Sequence, residues 1–266
     1  MGTRNREKRL QSLEDFISKS GHATFKQLAA RFDMSMNTAR RDLDLLVERG
    51  SLEKVYGGVV AIPRFRSYLP YTERSASNRA EKIRIARAAT GLIAPGDIVM
   101  MDSGSTITEL AHHLDSALAL TVISNSMSVI ARCAGSPTIR LIALGGEFLA
   151  SADGFVGAET LAMLSRLKAD KAFISATGLL PVDNGIINAP SLETDIKRSM
   201  IEAAREVFLL IDSSKFGTVA VHSVAPFSDV DVIVTDSQPE ARFLDVLTRN
   251  DVRLVVAEEP DDHGEH

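Results

Sequence analysis

The sequence predicts an α/β protein in two parts: a small helical head ending in a hairpin, then a larger domain on a mostly parallel sheet. Three features carry that reading. In roughly the first sixty residues, apolar side chains recur three and four apart, the spacing of short amphipathic helices. Beyond about residue 79, short continuous apolar runs alternate with amphipathic stretches, as in strands buried on both faces beneath helices. Residues 62–78 have neither pattern; they hold two prolines and scattered polar side chains, and read as a linker.

In the head, Leu10, Leu13, Phe16 and Ile17 mark a first helix that Gly21 ends. Thr24 can cap a second, with Phe25, Leu28, Ala29 and Phe32 on its buried side. Asp33-Met34 reads as a tight turn and Ser35 as the cap of a third helix, and Gly50 stands where a left-handed C-terminal residue is expected. The run "SLEKVYGGVVAI" follows, two short extended segments around Gly57-Gly58, which is hairpin chemistry.

The larger domain reads as a helix from Arg79 to about Ile93, then the strand IVMMD, a helix after SGST and the strand LTVISN. A helix over Met127–Ala134 precedes IRLIAL, and further strands fall at KAFISA, VFLLID, VAVHSV, VDVIVTD and VRLVVA, with helices near 156–167, 192–205 and 239–250. The expected division is therefore a head over 1–61, a linker over 62–78, an α/β domain over 79–257 and a disordered acidic tail over 258–266.

Composition narrows the class. Of 266 residues 45% are apolar and 24% charged, as in globular proteins. No apolar run approaches the roughly 20 residues a bilayer requires, and the first residues lack a signal-peptide pattern. Cys133, the single cysteine, excludes an internal disulfide and fits a reducing compartment. The expected location is cytoplasmic, with no membrane partner. Charge is uneven: 15 Lys+Arg face 9 Asp+Glu up to residue 79, against 15 and 26 beyond it. A basic head on an acidic body points to a polyanion that only the head meets.

The third helix says how. Wound at about 3.6 residues per turn, it puts Ala39, Leu43, Leu46 and Val47 on one face and Asn37 and Arg41 on the other, with Thr38 and Arg40 on the flanks. Asp44 and Glu48 face outward one and two turns later. A helix whose first turns are cationic and hydrogen-bonding suits entry into a DNA major groove, where Arg reads guanine and Asn adenine. A short preceding helix, a tight turn and a glycine-tipped hairpin complete a winged helix-turn-helix, with Lys54 and Tyr56 expected near phosphates. The expected DNA contacts are Ser35, Asn37, Thr38, Arg40, Arg41, Lys54 and Tyr56.

The stretch "FDMSMNTARRDLDLLVERGSLEKVYGGVV" resembles the DNA-binding signature of DeoR-family transcriptional regulators. The likeness continues through "DSGSTITELAHHL", "SNSMSVI", "LGGE", "TGL" and "DSSKFG" in the family's order, covering nearly the whole chain. One departure is Ala39, where the family more often has isoleucine. The resemblance implies a second domain similar to the ribose-phosphate isomerase and coenzyme A transferase-like fold. It also implies double-stranded operator DNA as partner, a homodimer or larger homo-oligomer, and a phosphorylated sugar or polyol as effector, with repression relieved by that effector.

The residues of the larger domain support a ligand crevice independently. Asp102-Ser103-Gly104-Ser105-Thr106 follows a strand and opens a helix, so backbone amides and hydroxyls can cradle an anion. Ser124-Asn125-Ser126 and Gly145-Gly146-Glu147 end later strands, and Lys215 follows another. Several polar loops along one sheet edge outline a crevice. Glu193 and Lys197, four apart, read as a pair along one helix. His112 and His113 project about 100° apart on a helix and cannot readily share a metal. Cys133 reads as a small buried side chain, and neither metal nor cofactor is expected. The alternative is a sugar-phosphate isomerase-like enzyme with an appended DNA-binding domain. It requires a positioned carboxylate base, yet where isomerases of this fold cluster acids the chain reads "ADGFVG", with Asp153 alone. Binding without turnover is therefore the expected role.

Overall fold

Leu10, Leu13 and Ile17 are buried together with Leu28, Leu43, Leu46, Leu52 and Val59, and this cluster is the core of the head. In this computed structural model the described residues are 6, 9–10, 12–13, 16–17, 22–48, 52–55, 58–61, 69–182, 185–188 and 191–258. The chain divides into two units, Met1–Arg64 and Phe65–His266.

In the first unit the described residues from 6 to 17 are helical. They are followed by β1 (His22–Thr24), α1 (Phe25–Arg31), α2 (Met36–Glu48), β2 (Leu52–Val55) and β3 (Gly58–Ala61). Thr24 starts α1 with a capping box: its hydroxyl accepts from the Gln27 amide at 3.2 Å, and the Gln27 side chain accepts from the Thr24 amide at 2.9 Å. Asp33 supplies the turn into α2 with φ +47°. The expected hairpin gains a third strand, for β1 pairs antiparallel with β3 in the order β1-β3-β2. That added strand accounts for Gly58, where a Cβ would lie 2.4 Å from the Ala23 carbonyl oxygen. The expected Gly50 cap and the acidic tail beyond residue 258 fall outside the described residues.

The second unit opens earlier than the pattern suggested. Residues 71–76, read as linker, form α3 (Tyr71–Ala76), and α4 (Arg79–Thr90) follows. Tyr71 holds α3 down by donating its hydroxyl to Thr108 Oγ1 at 2.9 Å. Next come β4 (Ile98–Met101), α5 (Ser105–His113), β5 (Leu120–Ser124), α6 (Met127–Cys133), β6 (Ile139–Ala143), β7 (Glu147–Leu149) and β8 (Gly154–Val156). The chain continues through α7 (Ala158–Leu164), β9 (Ala169–Ile174), β10 (Gly178–Leu179), β11 (Ile186–Asn188), α8 (Ser191–Ala203) and β12 (Ala204–Leu210). It ends in β13 (His222–Ala225), β14 (Val232–Thr235), α9 (Ala241–Arg249) and β15 (Arg253–Val256).

Seven strands form one parallel sheet in the order β15-β14-β12-β9-β4-β5-β6. Alternate side chains enter two apolar layers. Met100, Ile123, Ala172, Leu209 and Ile233 face one; Val99, Val122, Phe173, Phe208 and Val234 face the other. Phe173 and Phe208 stack across neighbouring strands with centroids 4.7 Å apart. Burial on both faces explains why these strands read as unbroken apolar runs. One expected strand leaves the sheet: β13 pairs antiparallel with β11 in a small sheet ordered β10-β11-β13.

The strand order reverses at the centre. From β4 the chain moves outward through β5 and β6, and from β9 it moves the other way through β12, β14 and β15. Loops leaving the carboxyl ends of β4 and β9 diverge there and leave a crevice, the usual ligand position of such sheets.

Candidate functional site

On α2 the exposed face carries Asn37, Arg40 and Arg41, while Ala39, Leu43 and Leu46 are buried. Ser35 and Thr38, expected to touch DNA, spend part of their capacity locally: the Ser35 hydroxyl accepts from the Thr38 amide at 3.1 Å and bonds its hydroxyl at 2.9 Å. Arg40 lies over the Phe25 ring, 5.8 Å from its centroid. Lys54 on β2 pairs with Asp44 at 2.6 Å through two exposed side chains, and Tyr56 lies outside the described residues. Asp42, between the basic and apolar faces, escaped the sequence reading. It is 2% exposed and accepts from Arg9 Nε at 2.8 Å and Arg6 Nε at 3.1 Å, tying α2 to the first helical segment.

In the second unit the centre of the site is Asp102, at the end of β4. Its Oδ1 accepts from the Gly104 amide at 2.7 Å, and its Oδ2 from the Ser175 amide at 2.9 Å and the Ser175 hydroxyl at 3.0 Å. Lys197 reaches the same carboxylate from α8, both partners being almost wholly buried. Asp102 thus binds together the loops that leave β4 and β9, directly at the strand-order reversal. The expected helix pair resolves differently: Lys197 serves Asp102, and Glu193 stands 4.0 Å from Arg74 of α3.

Above this ion pair the chain turns tightly into α5. A Cβ on Gly104 would sit 2.1 Å from Ser175 Oγ and 2.6 Å from Ser175 Cβ, so only glycine lets the two loops approach. Gly104 is the N-cap of α5, and no side chain caps the helix there. The amides of its first turn are orphaned by helix geometry and carry the positive end of the helix dipole.

These amides line a cleft of about 640 Å³, its open mouth included. Gly104, Ser105 and Thr106 form one wall, Ser175–Thr177 and Asn188 another, and Arg74, Lys82, Glu193 and Lys215 supply the charges. Lys82 is buried and donates to the carbonyls of Arg74 and Ser77 (2.7 Å to the latter), so it also holds the end of α3. Burial, helped by Lys215 and Arg74, brings its pKa down from 10.5 to about 8, against the opposing pull of Asp212 and Glu109. Burial alone would raise the Asp212 carboxyl. Lys215, hydrogen bonds from Ser214 and Asn78, and Lys82 outweigh it and hold Asp212 below its ordinary value.

Of the expected effector residues, Gly104, Ser105, Thr106 and Lys215 line this cleft. Asp102 and Ser103 are buried beneath it. Ser124, Asn125 and Ser126 are buried too, and serve the framework. Ser124 donates to the Met101 carbonyl at 2.7 Å, Asn125 to that of Phe155 at 3.0 Å, and Ser126 caps α6. Gly145 accepts from Thr160 through its carbonyl at 2.7 Å, Gly146 needs its φ of +137°, and Glu147 lies exposed at the start of β7. The polar strand ends shared one edge, as expected, but only one of the three loops reaches the cleft. Conversely Arg74, Lys82, Asn188 and Glu193 come to it from segments that offered no local signal of a site.

Asp153, the lone acid of "ADGFVG", has φ +57° and accepts from the Ser126 hydroxyl and the Ser128 amide, each at 3.0 Å. Cys133 is buried, which pushes its thiol pKa up. Among the described residues no group of three His, Cys, Asp or Glu is placed to hold a metal, and no helix is long and apolar enough to cross a membrane.

Residues 9–65 match the family model of the DeoR-like helix-turn-helix domain, and residues 77–237 that of the DeoR C terminal sensor domain. The HTH-type transcriptional regulator IolR of Bacillus subtilis is 38% identical over 231 residues, 87% of this chain and 91% of that protein. The glycerol-3-phosphate regulon repressor of Escherichia coli is 30% identical over 240 residues, 90% of this chain and 94% of that one. A solved ribose 5-phosphate isomerase from Methanocaldococcus jannaschii is 19% identical, with a TM-score of 0.39, over 53% of this chain and 56% of the isomerase. Two family models in sequence, and relatives aligned over nearly their full length, agree with the helix-turn-helix head and the parallel-sheet body: the chain belongs to the DeoR family of transcriptional regulators.

Proposed function

We propose that the chain represses a carbohydrate or polyol catabolic operon in the cytoplasm and releases its operator when a phosphorylated sugar or polyol enters the cleft. The observation that carries the second half is the uncapped first turn of α5, opening onto a cleft with Arg74, Lys82 and Lys215 on its lining. Backbone amides at a helix N-terminus beside cations suit a phosphate monoester. The E. coli relative, named for a glycerol 3-phosphate regulon, supports the same effector class.

The first half rests on α2. Asn37, Arg40 and Arg41 stand exposed at the start of a helix whose other face is core. One such head makes few contacts, so a homo-oligomer presents two heads to half-sites about 34–36 Å apart or a multiple of that spacing. A tenfold release of DNA requires only about 1.4 kcal/mol of effector preference for the non-binding state.

The role is binding without turnover. An isomerase needs a free carboxylate base, whereas Asp153 is engaged at the start of α6 and Glu193, the one carboxylate lining the cleft among the described residues, stands beside Arg74.

The test is a gel-retardation titration with operator DNA at fixed salt. Arg41→Ala should weaken the cognate duplex by about tenfold or more, in line with loss of a bidentate base contact. Phosphorylated sugars or polyols should release the wild-type complex where their unphosphorylated counterparts do not. Unchanged affinity in the variant, or equal effects of both ligand classes, would refute the respective half.

A further inference from the structure

Asn188 is 2% exposed at the end of β11 and lines the cleft. Its Oδ1 accepts from the Thr177 hydroxyl at 2.8 Å, but among the described residues its Nδ2 has no hydrogen-bond partner. Turning the amide over only exchanges the atoms, since one end then meets Thr177 and the other is left over. A buried polar group without a partner is costly to the fold. Arg84, Asn125 and Thr235 also carry buried unpartnered atoms, yet none of the three lines the cleft. Among the described residues, Asn188 is the uncharged side chain at which such an atom meets the ligand space.

The distance to the anion end is short. Ser175 touches the Gly104 turn through Asp102, and Thr177, two residues on, bonds Asn188. Two residues of chain span at most about 7 Å. A phosphate seated at α5 therefore leaves the next few carbons of its ester beside Asn188.

Resting on the effector reading above, we propose that Asn188 is the specificity determinant of the cleft and reads a hydroxyl on the carbon chain of a phosphorylated polyhydroxy ligand. A hydroxyl both donates and accepts, so it answers either orientation of the amide. A ligand lacking it leaves Asn188 unpaired in the bound state and is rejected for that reason.

The experiment is titration calorimetry on the full chain with three kinds of probe. These are inorganic phosphate; n-propyl and n-hexyl phosphate; and glycerol 3-phosphate, ribose 5-phosphate, fructose 6-phosphate and myo-inositol 1-phosphate. Wild type should bind at least one hydroxylated ester about tenfold more tightly than the alkyl phosphates, and Asn188→Leu should erase that margin, with the alkyl phosphates bound no less tightly than by wild type and inorganic phosphate unaffected. Asn188→Ala, with a melting curve for each variant, guards against misfolding and should give the same loss. Variants that keep the margin, or that lower all probes together, overturn the assignment of Asn188. Wild type that binds the alkyl phosphates as well as every hydroxylated ester overturns it too. Wild type that binds no probe sinks the anion site itself, an outcome distinct from the others.

Discussion

Lys82 shows how one residue can couple the ligand to acidity. Its burial, beside Lys215 and Arg74, favours the neutral amine, and the pKa falls to about 8. Between about 8 and 10.5 the unfolded chain holds this proton and the fold does not, so Lys82 makes the free protein more stable as pH rises through that window. A phosphate in the cleft works the other way, because it favours the ammonium. Effector affinity should therefore fall as pH climbs past about 8, by at most about tenfold per pH unit because a single proton is involved. Titrations between pH 7 and 9.5 test this, and a flat profile would show that the anion does not sense Lys82. None of this is visible in "RAEKIRIA", where Lys82 reads as a surface charge on an amphipathic helix. Its burial depends on α3, which covers it.

At the scale of elements, the head was largely legible and the cleft was not. In α2 the cap, the buried stripe and the basic first turns all lie within one stretch, so local periodicity suffices. Asp42 was missed because its partners, Arg6 and Arg9, are more than thirty residues away. The wing brings a second pairing between elements, Lys54 of β2 with Asp44 of α2. Both side chains are exposed, so the pair contributes at most about 1 kcal/mol and can give way to a DNA phosphate. Asp44→Asn should strengthen binding to all duplexes alike, a fewfold at low salt, while Lys54→Ala should lower the slope of log affinity against log salt by about one unit. Salt-dependent titrations on cognate and random DNA separate these effects. A change confined to the cognate duplex would mean that the wing reads bases.

For the whole molecule, the two units enclose separate cores, one gathered from residues 10–59 and the other from the two layers around the sheet. Separate cores predict separate unfolding events. Calorimetry should resolve a head transition and a body transition, with effector raising only the latter. At a hundredfold excess over its dissociation constant the effector adds about 2.7 kcal/mol. A single transition that moves as one with ligand would show that the units unfold together.

β1, α3, β7, β8, β10 and β11 could not be read from the chain. The order along it of the seven strands of the main sheet, and of the helices between them, could be, because both faces of that sheet are buried and its strands are local apolar runs. The same holds for the turn at Gly104, whose residues are contiguous. Spatial order could not be read in this way. The reversal between β4 and β9 brings Ser175, Thr177 and Asn188 to the amino end of α5, and α3 carries Arg74 to the same place. Ser124 and Gly145 share their neighbours' local chemistry, yet their loops were drawn into the framework. Polar strand ends look alike in one dimension. Which of them faces a ligand depends on which strand lies beside which, and that is set by the packing of distant apolar residues.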